Sequence, residues 1–259
     1  MKKRILCLAA AGVLLLGALG GCGKATEAAA PVKIHTIAGP TGVGMVTLMA
    51  ENDAKTTENT YQMTVVTDPS QAVAAITGGA ADLAVVPTNL AATLYNKTGG
   101  DIQVLAVNTL GVLYMLENGS AVHSMADLKG KTIYTAGQGA NPEYVLRYLL
   151  TKNGIDPDRD VTIVFVADND ELTAAVVTGT AQIALVPEPK VTACIAQVTA
   201  AGKTPPTIAL SMNEEWNRIA GDDGGLMMGC VIARRSYAEK HPDQIAAFLT
   251  EYERSVTAV

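Results

Sequence analysis

The apolar residues of the chain fall into short runs with two different periods. Val32 to Ile37 reads as a strand, and Met45, Leu48 and Met49 recur at helical spacing behind the glycine-rich turn "AGPTGVG". "YQMTVVTD" is a second strand. Ser70 is placed to cap a short helix carrying Val73 and Ile76, which Gly78 and Gly79 would end. Leu83 to Val86 then forms an unbroken apolar run, the pattern of a parallel strand covered on both faces by helices.

The same order of elements returns one hundred residues later. "VTIVFVADNDELTAAVVTGTAQIALVPEP" contains a strand, Asp168 where the first copy has Asp68, a short helix, Gly179 matching Gly79, and a strand ending at Pro187. Between 74–87 and 174–187, seven of fourteen positions are identical: Ala74, Ala75, Gly79, Ala81, Ala84, Val86, Pro87 and their partners. Two copies are too few for a solenoid, so the pattern predicts two similar α/β lobes.

Between the copies, "IQVLAVNTLGVLYMLEN" suits a continuous strand pair leaving the first lobe, "KTIYTA" a strand, "GQGAN" a turn, and Pro142 to Asn153 a helix ended by Gly154. After the second copy come an apolar strand in "GGLMMGCVIARR" and a helix opened by Pro242, with Ile245, Phe248, Leu249, Tyr252 and Val256 on one face. Chain order predicts a discontinuous first lobe, 32–113 with 226–259, and a second lobe, 114–225. Two crossings between them imply a hinge.

The N-terminus adds a compartment. "MKKR" precedes an apolar run from Ile5 to Leu19, too short for the roughly 20 residues of a spanning helix, so 1–21 reads as an export signal. "LGGC", Leu19 to Cys22, resembles a bacterial lipobox, which implies acylation of Cys22 and a tether over 22–31. The globular part would then face outward from the cell membrane.

Composition removes other classes. The 259 residues carry a net charge of −6 and no nucleic-acid motif, so no nucleic-acid partner is expected. No CxxC or His/Cys metal spacing occurs. Cys194 and Cys230 either pair or stay as buried thiols. His35, His123 and His241, the three histidines, read as core or surface residues, and there is no GxSxG, HExxH or phosphate loop. No catalytic residue, metal or cofactor is expected.

In open α/β sheets a ligand sits outside the carboxyl ends of the strands. That rule selects Gly39, Pro40, Thr41 and Gly42 after the first strand, and Thr88 and Asn89 after the third. Gly137, Gly139 and Asn141 of "GQGAN" and Glu188 occupy the matching places in the second lobe. Amides of glycine-rich turns at helix starts suit an anionic or electron-rich group. Glu188 facing the cleft would instead favour an amine, an amidine or several hydroxyls; otherwise it lies on the rim, with Lys190 near enough to pair with it. Tyr114, on the crossover, either offers a flat apolar contact or belongs to the core. No arginine or lysine lies in these loops.

Taken together, the lipobox, "AGPTG", "GGAADLAVVP", "SMADLKGKTIYTAGQG", "LTAAVVTGTAQIALVPEP" and "RRSYAEKHPDQIAAFL" resemble the lipoprotein substrate-binding components of ABC importers for alkanesulfonates, taurine, nitrate and the pyrimidine precursor of thiamine. The resemblance covers nearly the whole mature chain. It implies an α/β type II periplasmic-binding-protein fold of two Rossmann-like lobes that close on a small organic molecule or oxyanion, a permease and ATPase as partners, a monomer, and an extracytoplasmic lipid-anchored location. Such proteins usually continue beyond the helix at 242–258, so a C-terminal truncation is expected here. The alternatives are an enzyme on the same fold, of thiamine-pyrimidine or menaquinone-pathway type, and a sensing or adhesion lipoprotein without transport.

Overall fold

The computed structural model describes residues 30–221 and 225–259. The export signal and Cys22 lie outside the described residues. Strand β1 (Val32–Ile37) leads into a single helical turn, α1 (Pro40–Val43), and then α2 (Val46–Asp53). The stretch expected to be a plain turn therefore holds a short helix, with Pro40 supplying the preset φ of a first helical position. β2 (Tyr61–Val66), α3 (Pro69–Thr77), β3 (Leu83–Pro87), α4 (Thr88–Lys97) and β4 (Ile102–Leu110) follow.

The next run holds β5 (Leu113–Glu117), β6 (Thr132–Thr135), α5 (Asn141–Lys152), β7 (Thr162–Phe165) and α6 (Asn169–Thr178). After it come β8 (Ile183–Pro187), α7 (Lys190–Ala200), β9 (Thr207–Ser211), α8 (Met212–Ala220), β10 (Met227–Arg234), α9 (Arg235–Lys240) and α10 (Pro242–Thr257).

The strands form two five-stranded sheets, ordered β2-β1-β3-β10-β4 and β7-β6-β8-β5-β9. In each, the first three are mutually parallel and the fourth is antiparallel to its neighbours. The sequence repeat is thus a repeat of topology, with β3 and β8 in the same central place. Both alternate as a doubly covered strand must. Leu83 and Val85 enter one core cluster while Ala84 and Val86 enter another, and Ile183, Leu185, Ala184 and Val186 divide in the same way. What the repeat hid is the antiparallel fourth strand, which pairs β3 with β10 and β8 with β5.

The aspartates that aligned in sequence have one job. Asp68 Oδ1 accepts the Ser70 N–H at 2.8 Å, and Asp168 Oδ1 accepts those of Asp170 and Glu171 at 2.8 Å. Asp68, not Ser70, caps α3, because a carboxylate one residue ahead of Pro69 reaches the free amides of the first turn.

The apolar run expected to be one strand pair divides at Gly111: β4 is the edge of the first sheet and β5 is interior to the second. Gly111 has a φ of +54°, and a Cβ there would lie 2.6 Å from the Asn213 side chain. Its N–H donates to Leu226 O at 2.9 Å, and Leu226 N–H donates to Asn213 Oδ1 at 2.9 Å. The outgoing and returning crossings are therefore tied side by side through one asparagine. Cys194 and Cys230 are both buried free thiols, the second of the two readings, and burial pushes the Cys230 thiol up to about 11.

Candidate functional site

The carboxyl ends of β1, β3 and β6 carry most of the residues selected from the sequence. Their common neighbour is the start of β10. Thr88 Oγ1 donates to Met227 O at 3.0 Å. Asn141 Nδ2 donates to Met228 O at 2.7 Å and to Thr88 Oγ1 at 3.2 Å. Gly229 completes the set, since a Cβ on it would lie 2.7 Å from Thr41 Cγ2 and 2.8 Å from Asn108 Oδ1. Three consecutive residues of one strand thus touch Thr41 after β1, Thr88 after β3 and Asn141 after β6. Thr88 and Asn89 stand in the first turn of α4, and Asn141 opens α5, so all three are held by helix starts instead of loops.

The turn after β1 is fixed from beneath. Gly39, at a φ of +108°, accepts the Gly42 N–H through its carbonyl at 3.0 Å. Pro40 begins α1, and Thr41 O accepts from Asn108 Nδ2 at 2.9 Å. Asn108 Nδ2 also donates to the Tyr252 hydroxyl at 2.8 Å, which links the turn to α10. Burial raises the Tyr252 pKa, with the Asn108 bond pulling the other way.

The second glycine turn is built differently. Gly137 and Gly139 sit at φ +82° and +72°, values that favour glycine. Gly139 N–H already donates to Glu143 Oε2 at 2.7 Å. That bond, with Arg147 behind it, holds the Glu143 carboxyl below its ordinary range. Arg147 in turn bridges Glu143 and Asp158, each at 2.7 Å.

Two selected residues are placed otherwise. Glu188 turns onto its own helix, where its carboxylate accepts the Thr192 N–H at 3.2 Å and the Thr192 hydroxyl at 3.1 Å. Lys190 pairs with Asp170, so the Glu188–Lys190 pair does not form. The free amides at the start of α7 are a closer and better-aligned partner for this carboxylate. Tyr114 is half-buried in β5 and packs on the core cluster beside Tyr134.

A cavity of about 430 Å³ opens where Thr88, Asn89 and Asn141 meet Met227. Its far wall is aromatic: Tyr144, Tyr148 and Trp216, with the Tyr148 and Trp216 ring centroids 5.0 Å apart. Sequence reasoning missed this wall and Asn108. The available signal was two tyrosines four apart on the helix opened by Asn141, which must share a face. A larger groove of about 590 Å³ shares only Thr88 and Met227 with the site and runs along the apolar side of α4 and β4. Among the described residues no cluster of His, Cys, Asp and Glu could hold a metal, and no helix is long and apolar enough to cross a membrane.

Comparison with known proteins adds the family. A family model described as "ABC transporter, phosphonate, periplasmic substrate-binding protein" matches residues 48–209. No curated protein sequence matches the chain. Among solved structures, an ABC transporter protein from Parabacteroides distasonis is 21% identical with a TM-score of 0.68, over 87% of this chain and 72% of that one. The periplasmic aliphatic sulphonate binding protein SsuA from Escherichia coli is 18% identical with a TM-score of 0.64, over 88% of this chain and 73% of that one. The periplasmic nitrate-binding protein NrtA from Synechocystis PCC 6803 is 16% identical with a TM-score of 0.59, over 87% and 60%. These likenesses show the fold, that of the type II periplasmic binding proteins expected from the sequence. With more than half of its length matched by the family model, the chain belongs to the phosphonate family of periplasmic substrate-binding proteins, the substrate-binding components of ABC importers.

Proposed function

We propose that this protein captures a small organic molecule or oxyanion between its two sheets and presents it to a permease and its ATPase, without enzymatic activity of its own. The observation that carries this reading is the convergence of Thr41, Thr88 and Asn141 on residues 227–229 of the returning strand. In this reading 32–113 with 226–259 form one lobe and 114–225 the other, with Gly111 and Asn213 at the hinge. A solute that touches both lobes favours the closed state by its extra contacts there, and the permease reads that state.

Melting of the purified chain tests the reading, with methylphosphonate, ethanesulfonate, taurine, nitrate, benzamide and benzylamine as solutes. A solute at about 100 times its Kd adds about 2.7 kcal/mol, a rise of roughly 5 to 10 °C for a chain of this size. A folded sample that none of these shifts would speak against solute capture.

The "LGGC" motif supports a monomer tethered through acylated Cys22 on the outer side of the cell membrane. A single acyl chain binds a membrane only weakly, so loss of the anchor should be visible. Cys22→Ser is expected to move the protein from the membrane fraction to the soluble one in expressing cells; unchanged membrane association would sink the anchor.

A further inference from the structure

The cavity beside Thr88 is built for a different solute from the one in the family's description. None of the side chains that line it is charged. An oxyanion can also be held by neutral donors alone, provided that several converge on it. Here the strongest candidates are already engaged. Asn141 Nδ2 has two hydrogens, and they go to Met228 O and Thr88 Oγ1. The Thr88 hydroxyl gives its proton to Met227 O, and the nearby Gly139 N–H gives its own to Glu143.

An acceptor remains. Asn89 Oδ1 is buried without a hydrogen-bond partner, and Asn89 lines the same cavity. A buried carbonyl oxygen left unpaired costs about 1 to 3 kcal/mol, which a donor on an entering solute would recover. Opposite lie three aromatic rings, of the eleven in the chain (eight Tyr, two Phe, one Trp). Tyr144 is 52% and Tyr148 37% exposed, so both have open faces on which a planar ring can stack.

The nearby cations do not change this. Arg147 is held between Glu143 and Asp158, and Arg218 is paired with Glu215. The Lys152 ammonium lies over the Tyr148 ring at 5.5 Å from its centroid, where it makes a cation–π contact. It is absent from the cavity wall.

We infer that this cavity binds a ring-bearing solute with N–H or O–H donors and no oxyanion, with the ring against Tyr144, Tyr148 and Trp216 and a donor on Asn89 Oδ1. The inference rests on the solute-capture reading and narrows its ligand class.

Trp216 is the only tryptophan of the chain, so its emission reports on this wall alone. Titrating the purified chain with benzamide, benzylamine, benzylphosphonate and methylphosphonate compares ring with donor, ring with anion, and anion alone. Benzamide or benzylamine should quench Trp216 saturably and bind about tenfold more tightly than benzylphosphonate, the ratio that about 1.4 kcal/mol at one unmet acceptor gives. Methylphosphonate should leave the emission unchanged. Asn89→Leu should weaken the donor-bearing probes about tenfold. Asn89→Asp, which keeps an acceptor and adds charge, should shift preference from benzamide toward benzylamine.

Equal or tighter binding of benzylphosphonate, or no quenching by either ring donor up to 10 mM (roughly 2.7 kcal/mol of binding), would overturn the inference. So would an Asn89→Asp protein with unchanged preference. These results leave solute capture intact if any anion raises the melting temperature, so the two failures are distinguishable.

Discussion

Replacing Gly42 with alanine should abolish solute binding and lower the stability of the chain by about 2 to 4 kcal/mol, the range of severe overpacking. A Cβ at this position would lie 2.0 Å from the carbonyl oxygen of Ile37 and 3.1 Å from its carbonyl carbon. Neither atom is the end of a flexible side chain. Both belong to the backbone of β1, which is paired on each side by β2 and β3 and cannot retreat. The turn α1 must lift instead. Lifting it pulls Thr41 O away from Asn108 Nδ2 and opens the contact between Thr41 and Gly229, which is one of the three that converge on the start of β10. Gly130→Ala is the control: Gly130 has a φ of +75° with nothing within 4 Å of its Cβ position, so only the backbone term of about 1 kcal/mol applies. Thermal melting of both variants, followed by titration with the best solute, checks the pair. A Gly42→Ala protein that melts and binds like the parent would show that the turn adapts and does not hold ligand.

The ease of reading Gly42 from sequence, and the difficulty of reading its neighbours, have one physical origin. Local patterns are legible where the chain itself sets the constraint. β3 and β8 were legible because a strand covered on both faces needs apolar residues at every position, and Leu83 to Val86 and Ile183 to Val186 supply them. The strand-end rule then led to Thr41, Thr88 and Asn141, since any residue after such a strand emerges on one edge of the sheet. Contacts made across the chain were not legible. Asn108 sits in a β-strand and joins Thr41 to Tyr252 across 67 and 144 residues, and no local spacing announces that. Trp216 meets Tyr148 only because α8 packs beside α5. Glu188 was misjudged for a third reason. The position it shares with Thr88 in the repeat is real, but a carboxylate there has free helix amides four residues ahead, and it takes them.

Phe248→Ala should produce the largest loss of stability, about 3 to 5 kcal/mol, a substantial share of the roughly 5 to 15 kcal/mol that holds a typical protein folded. Phe248 is fully buried on α10, with its ring stacked on Tyr252 at 5.4 Å and edge-on to Tyr61 at 6.2 Å. Truncation removes the contacts of a large ring and leaves a hole whose walls are held by their own polar bonds. The Tyr61 hydroxyl donates to Glu251, and the Tyr252 hydroxyl accepts from Asn108, so neither ring can swing in to fill the space without breaking one of these. A site that cannot collapse shows the upper part of the cavity cost. The consequence reaches the candidate site, because Asn108 uses the same amide nitrogen to hold Thr41 O. Phe248→Ala should therefore weaken solute binding as well as lower the urea midpoint, while Phe248→Leu, which keeps much of the volume, should cost roughly 1 to 2 kcal/mol and bind nearly as the parent does. Urea unfolding of the three proteins with unchanged m-values would read these differences directly. A loss below 1 kcal/mol for the alanine variant would mean that Tyr61 and Tyr252 do close the gap, and that α10 is not what fixes the first turn of the site.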